Sequence, residues 1–244
     1  MPASDHLRED GRRGWPSSWP AGWHVRYVQT TGSTNTDLLE AATAGAPDRS
    51  VLAAGHQTAG RGRLDRRWEA PPGANLLVSI LFRDVPEIPG DLTRRVGVAA
   101  VDAVRATSGA AASLKWPNDV LLDGRKLGGV LAQRAAAGPV VVGLGLNVGW
   151  APEGGARLGD GVEVADVLAA LLAAYDALPA DIHERYLQLL DTLGREVVVE
   201  LAEGQLAGRA VDVERDGRLV VIDACAVTHR IDVGDVIHAR PRDE

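Results

Sequence analysis

The stretch SLKWPNDVLLDGRKLGGVLAQRAAAGPVVVGLGLNV, residues 113–148, decides the fold class. Short β-prone runs alternate in it with turn residues. Ser113–Trp116 and Asp119–Leu122 come first, then the turn Asp123-Gly124, a run over Leu127–Arg134, a second turn at 136–138 and a run over Pro139–Val148. Asp-Gly between two such runs favours a tight hairpin, and the short AAAG connection does the same, so these strands are predicted to pair antiparallel.

Working outward toward the N-terminus, Asn75–Phe82 alternates as a strand and Leu92–Thr107 has the pattern of a helix. Val25–Gln29 and Val51–Gln57 read as strands, and Ser33 or Thr34 can cap a helix running to about Gly45. The Gly/Arg/Pro loop at 58–74 is longer than a simple connection requires, and such loops are usually functional. Toward the C-terminus, helices are predicted at 164–178 and 181–193, with Pro179 between them. After Gly194 the character changes to short strands: Glu196–Leu201, Gly208–Glu214, Leu219–Asp223, Val227–Ile231 and Val236–Ala239. The fold predicted is α+β: a domain over 23–193 built on a mixed, largely antiparallel sheet with helices, followed by a small β-barrel over 194–244. Residues 1–22 carry Pro2, Pro16 and Pro20 and read as a lead-in whose Trp15 and Trp19 dock, with Trp23, onto the body. A segment of that length is too short for an independent domain of about 50 residues, so no DNA-binding head is expected there.

Composition narrows the function. The 244 residues are 45% apolar and 24% charged, enough for a substantial core. A net charge of −7 and 4% aromatics argue against a general nucleic-acid coat or a stacking platform for single strands. The single cysteine, Cys225, rules out an intrachain disulfide and a cysteine-based zinc site, and reads as a small packed residue. No apolar run reaches membrane-spanning length and no signal peptide is legible, so a cytoplasmic location and no membrane partner are expected. With 24 arginines and 4 asparagines in the chain, Lys115 and Lys126 are its only lysines. Lysine is a compact point charge and asparagine a neutral donor and acceptor, so the few present are expected where Arg or Asp would not serve.

Three motifs can carry chemistry. AGRGRLDRRW (59–68) sets arginines among glycines, which suits phosphate oxygens, although taken alone such a loop is more often a solvated turn or a nucleic-acid contact. It is no P-loop, since no GK[ST] follows. In KWPND (115–119) the proline biases Trp116 toward extended backbone, so that Lys115 and Asn118 project from a rigid bend. A turn with its tryptophan in the core would account for Trp116 but not for Lys115. In GLGLN (143–147) the alternating glycines bare one face of a strand, for a flat ligand or for a closely packed helix.

Together GSTN (32–35), HQTAGRGR (56–63), Trp68, GANL (73–76), KWPND (115–119), RKLGG (125–129) and GLGLNV (143–148) resemble the biotin–protein ligase family in order and spacing. The resemblance covers about residues 25–150, and all four asparagines and both lysines fall inside these motifs. It implies a biotin/lipoate ligase core like that of class II aminoacyl-tRNA synthetases, with an SH3-like C-terminal barrel. It implies an ATP-dependent ligase that makes biotinoyl-5'-AMP and transfers biotin to a lysine on the biotin carrier domain of a carboxylase. Magnesium would come with the ATP phosphates.

By the same resemblance Ser33, Thr34, Asn35 and Gln57 form the polar wall for biotin, and Gly143 and Gly145 its flat side. Arg61, Gly62 and Arg63 close over biotin and the adenylate, and Lys115 contacts the biotin carboxylate and the activated phosphoryl group. Arg61, Arg63, Trp68, Asn118, Lys126 and Asn147 serve the adenylate. The loop departs from the family's GRGRxGRxW at Asp65, which takes positive φ less readily than glycine. Asp65 is expected to pair with Arg63 or Arg67 when no ligand is bound.

Three other readings compete. A lipoate ligase or octanoyltransferase of the same superfamily would have little use for so polar a pocket. A repressor would need a DNA-binding domain, and an RNA-binding module a salt-sensitive basic surface. Whether the chain is a monomer or a homodimer is not legible in the sequence.

Overall fold

The computed structural model describes residues 15–238, apart from 17, 65, 89, 135–137, 202–203 and 233–234. Seven strands make the main sheet: β1 (His24–Val28), β2 (Ser50–Ala54), β3 (Leu76–Phe82), β4 (Ala112–Lys115), β5 (Asp119–Leu122), β6 (Arg125–Arg134) and β7 (Val140–Leu146). Their order is β1-β2-β3-β7-β6-β5-β4. Only β1 and β2 run parallel, because helix α1 (Thr34–Thr43) crosses over between them; every other neighbour is antiparallel. The hairpins expected within 113–148 are therefore present, although the turn placed at 136–138 falls largely outside the described residues.

Helix α1 covers one face of the sheet, where Leu38 and Ala42 pack on Leu52, Leu81 and Val141. Helices α2 (Gly90–Ser108) and α3 (Val164–Ala177) cover the other. Two covered faces explain a departure from expectation. β3 (LLVSILF) is buried along its whole length rather than alternating, because it lies in the middle of a sandwiched sheet. Within it Ser79 is fully buried.

A five-stranded antiparallel sheet follows: β8 (Glu196–Leu201), β9 (Gly204–Val213), β10 (Leu219–Ile222), β11 (Thr228–Ile231) and β12 (Asp235–His238), in the order β11-β10-β9-β8-β12. β9 starts earlier than the sequence suggests because it pairs with β8 back to Gly204. The fold is thus α+β with a largely antiparallel main sheet and a smaller all-β unit. The short helix α4 (His183–Leu189) stops before 193. Residues 190–192 instead run beside β4, where Leu190 bridges Leu114 and the Asp191 N–H donates to the Leu114 carbonyl at 2.8 Å. The tryptophans of the lead-in do pack on the body. Trp15 lies 4.8 Å from the Tyr27 ring, and buried Trp23 donates its indole N–H to Asp176 at 2.8 Å.

Candidate active site

The first turn of α1 is held in an unusual way. Ser33, its N-cap, makes no capping bond with its side chain. Gln57, arriving from the end of β2, supplies the acceptor instead: its Oε1 takes the Thr34 N–H at 2.7 Å and the Thr34 hydroxyl at 2.9 Å. One donor of the helix start is thereby satisfied across the chain, and Gln57 is tied to α1. The neighbouring backbone fixes this approach, since Thr58 N and Ala59 N donate to the carbonyls of Thr31 and Gly32.

Below Thr34 the polar contacts continue into the sheet. Ser79 Oγ lies 2.7 Å from Thr34 Oγ1 and 2.5 Å from Asn35 Oδ1. The Asn35 amide donates to Gln133 Oε1 at 2.8 Å and to the Leu131 carbonyl at 3.2 Å. Gln57, Thr34, Ser79, Asn35 and Gln133 therefore form one connected network, and leaving any buried member without its partner costs about 1–3 kcal/mol.

The bare face of β7 is used for close packing. A methyl at Gly143 would overlap the Asn35 amide, and one at Gly145 would overlap the Trp68 indole. Both glycines line the cavity described below, but the space directly over them holds Asn35 and Trp68 rather than standing open for a flat ligand. The strand is bare so that α1 and the arginine loop can come down onto it.

That loop is a small hairpin. Arg61 bridges Arg67, the Gly62 N–H donates to the Arg66 carbonyl at 2.6 Å, and the Arg66 N–H donates to the Arg63 carbonyl at 3.1 Å. Among its described residues Leu64 takes a positive φ, 52°, a strained conformation for a side chain that is also 64% exposed. Asp65, with its expected pairing, lies outside the described residues. The loop touches the KWPND bend where Arg63 donates to Asn118 Oδ1 at 3.3 Å. Asn118 is itself locked to β6 by Nδ2 donating to the Val130 carbonyl at 2.9 Å and its own carbonyl accepting the Val130 N–H at 2.8 Å. Lys126 pairs with Asp119 at 2.7 Å and stands 5.8 Å from the centre of the Trp68 ring.

Most of these groups open onto one cavity of about 740 Å³, a size in the range of small-molecule sites, with Ser79 and Gln133 bonded behind its wall. Ser33, Thr34, Asn35, Gln57, Gly143 and Gly145 line one part of it, and Arg61, Gly62, Arg63 and Trp68 the loop side. Lys115, Asn118, Lys126 and Asn147 complete the expected residues, all of which line this cavity. Asn147 differs in its bonding: buried, it donates to the Ala156 carbonyl at 3.0 Å and accepts from Asn75 at 3.1 Å, so its amide shapes the wall. Arg66, Arg67, Glu69, Asp119 and Glu200 also line the cavity, and with Arg61, Arg63, Lys115 and Lys126 they leave it cationic. Such a field concentrates anionic ligands.

The sequence reading missed Ser79, Gln133, Trp150, Glu200 and Val236. A lone serine in LLVSILF was a legible sign of a buried partner. Glu200 and Val236 sit on β8 and β12, and only the docking of the small sheet brings them to the cavity.

Residues 27–147 match the model of the biotin/lipoate A/B protein ligase family, and residues 192–239 match that of the biotin protein ligase C-terminal domain. The chain is 41% identical, over 248 aligned positions, to the biotin–[acetyl-CoA-carboxylase] ligase of Mycobacterium tuberculosis; the alignment covers 90% of this chain and 91% of that protein. The chain belongs to the biotin/lipoate A/B protein ligase family. A second relative in that family, the biotin–[acetyl-CoA-carboxylase] ligase of Paracoccus denitrificans, is 31% identical over 78% of this chain and 91% of its own length. Among solved structures, the biotin protein ligase of Aquifex aeolicus in complex with biotin and ATP superposes with a TM-score of 0.77. It is 25% identical and covers 89% of this chain and 99% of its own.

Proposed function

We propose that the chain is a biotin–protein ligase, which forms biotinoyl-5'-AMP from biotin and ATP and passes biotin to a lysine on a carboxylase's biotin carrier domain. One observation carries the reading: a single cavity joins a hydrogen-bonding network (Gln57, Thr34, Ser79, Asn35) to a cluster of cations around Lys115, Arg61 and Arg63. The network suits the ureido ring of biotin, and the cations suit a carboxylate meeting a triphosphate. An octanoyl or lipoyl chain has no groups to satisfy such a polar wall, which disfavours the related lipoate chemistry. The match of residues 192–239 to a biotin ligase C-terminal domain supports the same choice.

In the first step a biotin carboxylate oxygen attacks the α-phosphorus of ATP, and the bond to the β-phosphate oxygen breaks to release pyrophosphate. Lys115, Arg61 and Arg63 offset the repulsion between the two anions and stabilise charge gathering on the phosphoryl oxygens. In the second step the acceptor lysine's amine attacks the acyl carbon, AMP leaves with the carboxyl–phosphate oxygen, and the new amide nitrogen sheds a proton. The hairpin at 61–67, with Trp68 against Gly145, keeps water from the mixed anhydride. Lys126, Asn118 and Trp68 hold the nucleotide portion, and Asn147 shapes its wall.

Among the described residues no group of three or more His, Cys, Asp or Glu could hold a metal ion. Magnesium entering on the ATP phosphates needs only one or two protein carboxylates, and Asp119, Glu69 and Glu200 line the cavity. Magnesium is thus part of the substrate.

The finer fold belongs to the proposal: a class II synthetase-like core over 23–193 and an SH3-like barrel over 194–244, supported by the five-stranded order of the small sheet. No helix among the described residues is long and apolar enough to cross a membrane; a cytoplasmic site of action is part of the proposal. The test is biotin-dependent exchange of pyrophosphate into ATP by the folded protein with magnesium. Exchange driven by biotin and not by lipoate is expected. Exchange driven by lipoate alone, or none at all, overturns the reading.

A further inference from the structure

The bend that carries Lys115 is braced on both sides by the chain that follows α4. Before Lys115, the Leu114 carbonyl accepts the Asp191 N–H at 2.8 Å. After it, the Trp116 N–H donates to the hydroxyl of Thr192 at 3.0 Å, and the Trp116 indole N–H donates to the Gly217 carbonyl at 2.9 Å. Gly217 sits in the turn between β9 and β10, where its φ of +97° favours glycine. That turn is held in place from the other side by Arg94 of α2, which donates to the carbonyls of Glu214 at 3.4 Å and Arg215 at 2.6 Å.

Every side chain in this brace is buried. Thr192 is 0% exposed, Trp116 3% and Arg94 7%. The Thr192 hydroxyl is a polar group in an apolar setting, and its partner is a backbone N–H that no sheet bond satisfies, since β4 ends at Lys115. An N–H in that position could have been left at the surface by a bend of another shape. Here it is buried and paired across 76 positions of sequence.

We infer that Thr192 and the 214–217 turn are positioning groups for adenylation, which fix the backbone on either side of Lys115 so that its ammonium group meets the reacting carboxylate and phosphate. The small β unit then acts on the first chemical step through Trp116, and its service to the enzyme is more than docking an acceptor. The inference rests on the proposed ligase activity. Its energetic logic is that of orientation: displacement of a reacting group by about 1 Å can cost about a hundredfold in rate.

The experiment compares Thr192→Val, which keeps shape and removes the acceptor, with Thr192→Ser, which keeps the hydroxyl. Both are measured in biotin-dependent ATP–pyrophosphate exchange on protein verified as folded by its thermal transition. Thr192→Val is expected to lower kcat by roughly tenfold or more, with the KM for biotin within about twofold of wild type, and Thr192→Ser to restore kcat. Should Thr192→Val fail to fold, Trp116→Phe, which loses the bond to Gly217 together with part of a buried ring, is expected to show the same loss in kcat at nearly constant KM. Wild-type kcat in the folded variant, equal loss in Thr192→Ser, or a rise in KM without loss of kcat overturns the inference. Absence of exchange in the wild type would instead fell the ligase reading itself.

Discussion

Lys115, which lines the cavity, and Ser79, buried behind Thr34 and Asn35 of its wall, should fail differently. On the proposed mechanism Lys115 acts where charge builds, so Lys115→Ala should lower the rate of adenylate formation by at least about a hundredfold. On the proposed function Ser79, bonded to Thr34 and Asn35, bears on the ground-state binding of biotin. Ser79→Ala leaves a buried acceptor unmet at about 1–3 kcal/mol, which should appear as a rise of roughly tenfold or more in the KM for biotin. Steady-state exchange kinetics at varied biotin separate the two; a fall in kcat alone for Ser79→Ala would place it in the chemistry. The contrast also shows what single residues disclosed. Lys115 stood out because lysine is so scarce in this chain, whereas Ser79 was missed although a lone hydroxyl in an apolar strand hints at a buried partner. Asn147 stood out for the same reason of rarity, yet its amide is spent on Ala156 and Asn75. Rarity marks a residue that cannot be exchanged, and both a ligand contact and a buried hydrogen bond satisfy that condition.

At the scale of elements, the arginine loop and β7 work as one device. The loop closes on Trp68, and Trp68 lies where Gly145 has no side chain. Gly145→Ala should therefore push the loop outward and release adenylate into solution, as should Arg63→Gly, which removes the contact to Asn118. In each variant a leak roughly tenfold above wild type is expected when free biotinoyl-AMP is measured during turnover without acceptor; wild-type retention in Gly145→Ala would dissociate Trp68 from closure. The hairpins of 113–148 were legible because Asp-Gly turns and period-two patterns are local signals. The burial of both faces of β3 was not, since it depends on helices far away in sequence. The end of α4 was missed for a related reason. Nothing local marks 190–193 as non-helical; their place beside β4 is a tertiary contact that overrides propensity.

For the whole molecule, the two sheets form one functional body. The main sheet supplies the network, the loop and Lys115, while the small sheet contributes Glu200 and Val236 to the cavity wall and, through the 214–217 turn, steadies the KWPND bend. The start of the small sheet at Glu196 was visible as a change from helical to short-strand patterning. That the second unit reaches the site was invisible, because docking between units is set by bonds from the Arg94 and Trp116 side chains to the carbonyls of Glu214 and Gly217, 120 and 101 positions away. The central claim is that one cavity makes the activated biotin and hands it to a protein lysine. It is tested most directly by incubating the protein with biotin, ATP, magnesium and a purified biotin carrier domain, then recording the intact mass of the carrier. Addition of one biotinoyl group at a single lysine is expected, dependent on ATP and abolished by Lys115→Ala. A carrier left unmodified by a protein that does make biotinoyl-AMP, or a mass increase matching lipoate in a mixture of both acids, would contradict it.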